Sequence, residues 1–121
     1  RWIVDDALAF VEREARRGRR YDGLVIDPPS FGRSGGARFR LRDDLERLLE
    51  AVAGVAAPGT FALVTAHTTG LEPSELAALV RASLGPAAAG RTESVALGVH
   101  AESGAELRLG WAIRLGGGPT A

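Results

Sequence analysis

The segment Leu24-Val25-Ile26-Asp27-Pro28-Pro29 carries the main signal of fold class, because an unbroken apolar run stops at a carboxylate and two prolines. An apolar run without alternation is typical of a parallel strand that helices cover on both faces. Proline cannot donate the hydrogen bond that a sheet ladder needs, so we expect the strand to end there. A second such run, Phe61-Ala62-Leu63-Val64, ends at Thr65-Ala66-His67. The two runs predict parallel strands whose carboxyl ends lie at one edge of a sheet.

Three segments with helical spacing surround these strands. Apolar residues recur three or four positions apart, which predicts one helix before the first strand, one between the strands and one after the second. These positions are Ala7, Phe10, Val11 and Ala15; Leu45, Leu48, Leu49, Val52, Ala53 and Ala56; and Leu76, Leu79, Val80 and Leu84. We expect Asp43 or Asp44 to cap the second helix and Pro73 to open the third. This alternation predicts an α/β domain.

The remaining segments complete the predicted architecture. Residues 1–4 have the composition of a strand, and apolar residues alternate over 95–99 and again over 107–115, which predicts an antiparallel hairpin at the edge of the sheet. Residues 30–40 are rich in Gly, Ser and Arg without periodicity. They predict a loop beyond a strand's carboxyl end, where open α/β sheets bind ligands. We expect residues 116–121 to form a flexible tail.

Composition excludes several kinds of chemistry. The 121 residues have a formal net charge of zero, with no cysteine and no lysine, so that all 15 basic residues are arginine. Thiol nucleophiles, disulfides, Schiff-base lysines and phosphate-loop lysines are therefore excluded. His67 and His100 are too far apart for a helical zinc pair, and we expect no metal site. No apolar run approaches the roughly 20 residues that span a bilayer, so we expect a cytoplasmic protein without a membrane partner.

The string Asp27-Pro28-Pro29-Ser30-Phe31 places a carboxylate, a rigid turn and an aromatic ring together at a strand end. Asp27 can accept a hydrogen bond from a planar NH group while Phe31 stacks on the ring that carries it. The prolines hold the backbone in a fixed geometry, so their carbonyls can face a ligand. The alternative is a strand that simply ends at Pro-Pro, with Asp27 binding nearby backbone amides. The local sequence leaves both interpretations open.

A different motif suggests a hydrolase. Gly32-Arg33-Ser34-Gly35-Gly36 matches the GxSxG pattern in which a serine is the nucleophile. That motif requires a strand, the serine and a helix in direct succession, and here two prolines and several loop residues intervene. A hydrolase with Ser34 as its nucleophile is therefore a remote alternative.

Three strings together resemble a known family. Asp5-Asp6-Ala7, the segment 21–32 and Thr65-Ala66-His67-Thr68-Thr69-Gly70 are similar to the latter half of class I S-adenosylmethionine-dependent methyltransferases, closest to the bacterial 23S (large-subunit) ribosomal-RNA methyltransferase-like group. The resemblance implies a partial Rossmann-like sheet of order 3-2-1-4-5-7-6, in which the first two strands and the Gly-rich cofactor loop are missing. Residues 1–115 would be the C-terminal part of the catalytic domain. The third strand, at residues 1–4, would then be poorly ordered or repositioned, and the chain alone inactive.

The same resemblance implies roles for particular residues. Asp6 would accept from the adenine amino group of S-adenosylmethionine, and the backbone amide of Ala7 would meet a ring nitrogen. The alternative for Asp6 is helix capping, which is compatible with that role. Asp27 would border the cofactor and, with the Pro28 carbonyl, orient the substrate group near the methyl donor, while Phe31 lines the pocket. Members that methylate cytosine C5 use a cysteine where this chain has residues 66–68, so direct transfer to nitrogen or another atom is favoured.

Arginines near this pocket indicate an RNA partner. Arg33, Arg38 and Arg40 lie where an RNA backbone would pass, and His67 follows the neighbouring strand. The alternative for His67 is a hydrogen-bonded structural residue. We therefore expect a segment of an enzyme that methylates ribosomal RNA nucleobases. The competing hypothesis is an inactive, degenerate half-domain that acts as an interaction module.

Overall fold

The computed structural model describes residues 2–34, 37–88 and 90–116, which form three helices and six strands. The elements are, in chain order, α1 (Ala7–Arg16), β1 (Tyr21–Ile26), β2 (Phe31–Ser34), β3 (Ala37–Arg40), α2 (Leu41–Ala53), β4 (Ala56–Ala66), α3 (Pro73–Leu84), β5 (Thr92–His100) and β6 (Glu106–Leu115). The prediction of an α/β fold with a C-terminal antiparallel hairpin is confirmed. None of the helices formed by these residues is both long and apolar enough to cross a lipid bilayer.

Four strands form the main sheet in the order β1-β4-β6-β5. β1 and β4 are parallel, with Gly23 opposite Phe61 and Ile26 opposite Val64. β6 runs antiparallel to β4 on one side and to β5 on the other. This is the order expected for strands 4, 5, 7 and 6 of the partial sheet. The carboxyl ends of β1 and β4 therefore meet at one edge, as the sequence predicts.

The core lies between this sheet and the helices α2 and α3. The apolar stripes predicted for both helices are buried in one cluster with the inner residues of β4 and β6. Its largest fully buried side chains are Leu41, Leu45, Leu49, Val64, Leu76, Val80, Leu84 and Ile113. Burying each such side chain stabilises the fold by about 1.5–3 kcal/mol. The core therefore anchors β4, whose carboxyl end carries part of the candidate site.

The prediction of a loop over residues 30–40 is wrong, because β2 and β3 pair there as an antiparallel hairpin. The sequence signal is the alternation of Phe31 and Arg33 with smaller residues, followed by Gly35-Gly36, a dipeptide typical of two-residue hairpin turns. Phe39 lies on the inner face of the hairpin and packs against the core. The hairpin is thus held against the domain by an aromatic side chain.

The N-terminal segment forms no strand over residues 2–6, although its composition favours one. Trp2 and Val4 are fully exposed. A strand needs a neighbour to satisfy its backbone groups, and the sheet of the described residues offers none at this position. The predicted cap of α2 is also wrong: β3 runs directly into the helix, and Asp44 accepts from the backbone N–H of Arg40 at 2.7 Å from within the first turn. Most of the predicted tail, residues 117–121, lies outside the described residues.

Candidate active site

Asp27 and His67 meet at the edge where β1 and β4 end. The hydroxyl of Thr65, near the end of β4, donates to Asp27 Oδ1. The Nε2 atom of His67 lies 3.3 Å from the same carboxylate oxygen. Both partners remain open to solvent, with 64% of the Asp27 side chain and 43% of the His67 side chain exposed. The two parallel strands thus place a carboxylate and an imidazole side by side, in reach of a ligand.

The second ring nitrogen of His67 is also occupied. Nδ1 lies 3.0 Å from the carbonyl oxygen of Leu109 on β6. This approach depends on Gly110, whose φ of +149° is unfavourable for other residues and where an added Cβ would lie 2.1 Å from the carbonyl oxygen of Ala66. The absence of a side chain at Gly110 lets β6 approach the end of β4. His67 therefore connects three strands at this edge.

Two further hydroxyl groups join the loops that follow β1 and β4. Thr68 donates to the Ser30 hydroxyl at 2.7 Å. The backbone carbonyl of Ser30 accepts from the N–H of Leu41 at 3.2 Å, which ties this loop to the start of α2. Ser30, Thr65 and Thr68 were not among the predicted site residues. The signal that could have found them is the occurrence of hydroxyl residues at or just after the carboxyl ends of two adjacent parallel strands.

Pro28 and Phe31 have different environments. Pro28 is buried directly behind Asp27, so the backbone that carries the carboxylate is rigid. Phe31 is 54% exposed. The guanidinium carbon of Arg38 lies 5.8 Å from the centre of the Phe31 ring, within the range of a cation–π contact. Phe31, the first residue of β2, therefore lies on the outer surface of the hairpin, next to the loop that follows β1.

The β2–β3 pairing gathers the predicted RNA-binding arginines on one surface. Phe31 pairs with Arg40, and Arg33 pairs with Arg38, so all four side chains lie on the same face of the hairpin. All four are exposed, whereas Phe39 lies on the opposite face against the core. Among the side chains that the structure describes, none forms an ion pair with these arginines. We call the surface formed by Phe31, Arg33, Arg38 and Arg40 the arginine face.

Ser34 lies at the end of β2, opposite Ala37 of β3. A strand rather than a helix follows this serine, so the arrangement required of a hydrolase nucleophile is not formed. The side chain of Ser34 and residues 35 and 36 lie outside the described part of the chain. The hydrolase alternative therefore has no support in the backbone.

Asp6 caps α1, as one of the two interpretations of the sequence predicts. Its Oδ1 atom accepts from the N–H of Ala9 at 2.9 Å. Asp5 instead pairs with Arg13 at 2.6 Å, and this contact, with the N–H of Asp6, holds the pKa of the Asp5 carboxyl below its ordinary value. No hydrogen bond or ion pair joins Asp6 to Asp27 among the described residues. Asp6 therefore makes no described hydrogen bond or ion pair with the group formed by Asp27, Thr65 and His67.

The two ends of α1 have different surroundings. Near its C-terminal end, Glu14 accepts from the Tyr21 hydroxyl at the beginning of β1, at 2.7 Å. The N-terminal end carries Asp6 and Ala7. Asp6 supplies an exposed carboxylate, and the neighbouring N–H of Ala7 has no acceptor among the described residues. An acceptor beside a donor fits the amino group and ring nitrogen of an adenine.

Solved structures resemble this arrangement, although no protein-family model and no curated protein matches the sequence. A SAM-dependent methyltransferase from Agrobacterium tumefaciens is 29% identical and superimposes with a TM-score of 0.84, covering 96% of this chain. The chain has the fold of the SAM-dependent methyltransferases. SMU.776 complexed with SAH is 14% identical, with a TM-score of 0.71 over 94% of this chain. M1.HpyAVI complexed with SAM is 9% identical, with a TM-score of 0.56 over 98% of this chain and 55% of its own length.

The methyltransferase fold is present here in part. The chain spans 39% of the length of the Agrobacterium methyltransferase and 30% of SMU.776. The expected fold and the general class of similar proteins are thereby confirmed. The narrower resemblance to the large-subunit ribosomal-RNA group stays a prediction, as do the roles of the individual site residues.

Proposed function

We propose that this chain is the target-side part of an S-adenosylmethionine-dependent methyltransferase that methylates a nucleobase nitrogen of ribosomal RNA. The observation that carries the proposal is the Asp27 carboxylate, held at the carboxyl edge of the parallel strands beside the arginine face. Open α/β sheets bind ligands at that edge. The fit over 96% of the chain to the Agrobacterium methyltransferase supports the general activity.

Asp27 is the residue that would orient the target group. Its Oδ1 atom is engaged by Thr65 and His67, and the hydrogen bonds of the described residues leave Oδ2 without a protein donor. That oxygen can accept from an NH group of the target base while the rigid Pro28 carbonyl accepts a second hydrogen. Holding the target group in a fixed position accounts for much of the rate enhancement, because methyl transfer needs little covalent catalysis by the protein.

The cofactor would be held from the other side of the same edge. Asp6 and the Ala7 amide would bind the adenine ring, and Asp27 would border the reacting end. S-adenosylmethionine supplies a methyl group on a positively charged sulfonium, which is already a reactive donor. The protein therefore has to exclude misaligned targets and to hold the accepting nitrogen in line with that donor.

The arginine face supports RNA as the target. Three guanidinium groups can neutralise phosphates, and the exposed Phe31 ring can stack on an unpaired base. Recognition of RNA by stacking is typical of single-stranded loops, whose bases are accessible to a catalytic site. The face adjoins the loop that carries Asp27, so a strand bound there would place a base beside the carboxylate.

The first experiment measures methyl transfer from radiolabelled S-adenosylmethionine to ribosomal RNA, using the protein with its natural flanking sequence. We expect Asp27→Asn to reduce transfer by at least about 100-fold with little change in RNA affinity. Full activity in this variant would refute the role of Asp27. Absence of any transfer by the unmodified protein to ribosomal RNA would refute the proposed function.

A second experiment tests whether RNA binding depends on the arginine face in particular or only on the total positive charge of the protein. We expect the triple variant Arg33→Gln, Arg38→Gln, Arg40→Gln to weaken RNA binding and to reduce the slope of log affinity against log salt by about 2, since single-stranded contacts contribute about 0.7 each. The matched control replaces Arg16, Arg47 and Arg91, which are exposed and form no ion pair among the described residues. Equal effects of both triple variants would show that only net charge matters.

A further inference from the structure

The hydrogen bonds of His67 fix which of its nitrogens can exchange a proton. A carbonyl oxygen only accepts, so the Nδ1 atom that lies 3.0 Å from the Leu109 carbonyl must carry a hydrogen. In the neutral ring Nε2 then holds a lone pair. That lone pair faces Asp27 Oδ1 at 3.3 Å, and an ionised carboxylate is also an acceptor. Neither Nε2 nor Oδ1 carries a hydrogen in this state, and one added proton between them would form a hydrogen bond.

We propose that His67 takes up, through Asp27, the proton that the target nitrogen loses on methylation. The inference rests on the proposed function and assigns a residue to a step which that function leaves open. As the nitrogen–methyl bond forms and the sulfur–methyl bond breaks, the sulfonium becomes a neutral thioether and the nitrogen retains one proton too many. Its N–H bond then breaks toward Asp27 Oδ2, the protonated carboxyl turns about its Cβ–Cγ bond so that this O–H faces Nε2 of His67, and the same proton passes to Nε2. The product is a neutral methylated amine and an imidazolium.

The surroundings of His67 suit this transfer. From β1 the ring faces Asp27, from β4 it is accompanied by the neutral Thr65 hydroxyl, and from β6 it meets the Leu109 carbonyl. Among the described residues, Asp27 is the one charged side chain within ion-pair distance of the ring. An imidazolium there would be stabilised on both nitrogens, by a carboxylate and by a carbonyl. Partial exposure of His67 lets water carry the proton away after the reaction.

The test is the pH dependence of methyl transfer. Because a neutral imidazole is required, we expect transfer by the unmodified protein to rise with pH. His67→Gln keeps a donor near the position of Nε2, and His67→Asn keeps one near Nδ1, but neither accepts a proton. Both variants should lose the rise and fall about 100-fold in rate at pH 8, with unchanged RNA affinity. His100→Gln is the matched control and should keep the unmodified profile.

The possible results distinguish the inference from the function on which it rests. If either His67 variant keeps the rise with pH, or if the Asn variant restores the rate by restoring the Leu109 contact, His67 is only structural and the inference is wrong. If the unmodified protein transfers no methyl group to RNA, the proposed function fails and the inference fails with it.

A second measurement does not depend on activity. Nitrogen-15 spectra of the two imidazoles at pH above 8 report which nitrogen carries the hydrogen. We expect the Nδ1–H tautomer for His67, assigned by comparison with His100→Gln. The Nε2–H tautomer would overturn the inference, because Nε2 then has no lone pair to accept a proton from Asp27.

Discussion

The approach of β6 to the end of β4 depends on one residue. Gly110 has a φ of +149°, and an added Cβ would lie 2.1 Å from the Ala66 carbonyl oxygen and 3.0 Å from the His67 Cα. Real Cβ atoms do not reach such distances, so a side chain must push the two strands apart. The contact between His67 and the Leu109 carbonyl would be disturbed by the same movement.

Gly110→Ala should therefore destabilise the protein by about 2 kcal/mol or more, from backbone strain together with the clash. The measurement is the free energy of unfolding in urea. Gly104→Ala is the control, because Gly104 also has a positive φ, +84°, but an added Cβ there meets nothing within 4 Å. We expect about 1 kcal/mol from strain alone in the control. Equal losses in the two variants would contradict the close approach.

A pair of titratable groups joins α1 to β1. The Tyr21 hydroxyl donates to Glu14, which lowers the pKa of the Glu14 carboxyl below its ordinary value, and Arg17 lowers it further against the opposing effect of burial. The same contact, with burial, raises the pKa of Tyr21 above its ordinary value. The contact thus stabilises the fold while Glu14 is ionised and Tyr21 is protonated.

The sign of the pH dependence follows from these directions. Glu14 contributes stability that is present above its unfolded-state pKa and is lost as the pH falls through the lowered value. Tyr21 contributes stability that is present below about pH 10 and is lost as the pH rises through the raised value. Tyr21→Phe should reduce the decrease in the free energy of unfolding at both acid and alkaline pH, as measured by urea unfolding from pH 3 to 11. An acid loss as steep in this variant as in the unmodified protein would contradict the assignment.

At the scale of elements, periodicity predicted what packing requires. The structure buries the stripes of α2 and α3 and the side chains of Ala62 and Val64 on β4. The expectation that helices cover both faces of the strands is wrong for Val25 and Phe61, which are 68% and 44% exposed. The pairing of β2 with β3 was not predicted because, of the hairpin residues whose burial the structure describes, only Gly32 and Phe39 are partly buried, which leaves little periodic signal in four-residue strands. The bond from Thr65 to Asp27 was missed for another reason: it joins residues 38 positions apart, and only the register of β1 and β4 brings them together.

The two faces of the β2–β3 hairpin give a prediction about binding and stability. Phe39 packs against the core on one face, and Phe31 lies exposed on the other. Phe39→Ala should cost about 1–3 kcal/mol in unfolding free energy, less than full burial would give. Phe31→Ala should change that free energy by no more than about 0.5 kcal/mol, yet weaken RNA binding by the roughly 1–3 kcal/mol of one base stack.

The measurements are urea unfolding and RNA binding at fixed salt, carried out on both variants. A large loss of stability in Phe31→Ala, or undiminished RNA binding by that variant, would mean that the arginine face is not a stacking surface. Because neither substitution removes an arginine, any change in RNA binding by Phe31→Ala reports the contribution of the Phe31 ring and not that of the charges.

At the scale of the whole molecule, the sheet has an open side. β1 pairs with β4 and with no other strand of the described residues, and Val25 on it is 68% exposed. The candidate contacts to S-adenosylmethionine lie at Asp6 and Ala7, with Asp27 at the reacting end. In the proposed site these three residues would contact the adenine and the methyl donor, and none of them would contact the ribose or the amino-acid part of the cofactor. The sheet is therefore open at β1, and the proposed contacts cover only part of the cofactor.

The 121 residues alone should accordingly bind S-adenosylmethionine weakly and transfer no methyl group. Affinity at a cofactor site depends on burying most of the ligand and on several placed polar groups, and two of the three contacts here are to one ring. Calorimetric titration of the isolated 121-residue chain should show no binding at micromolar cofactor. The comparison is the same titration of the protein with its natural flanking sequence, which should bind. Micromolar affinity in the isolated chain would mean that its own surface completes the cofactor site, and the open side of β1 would then have to be reassigned.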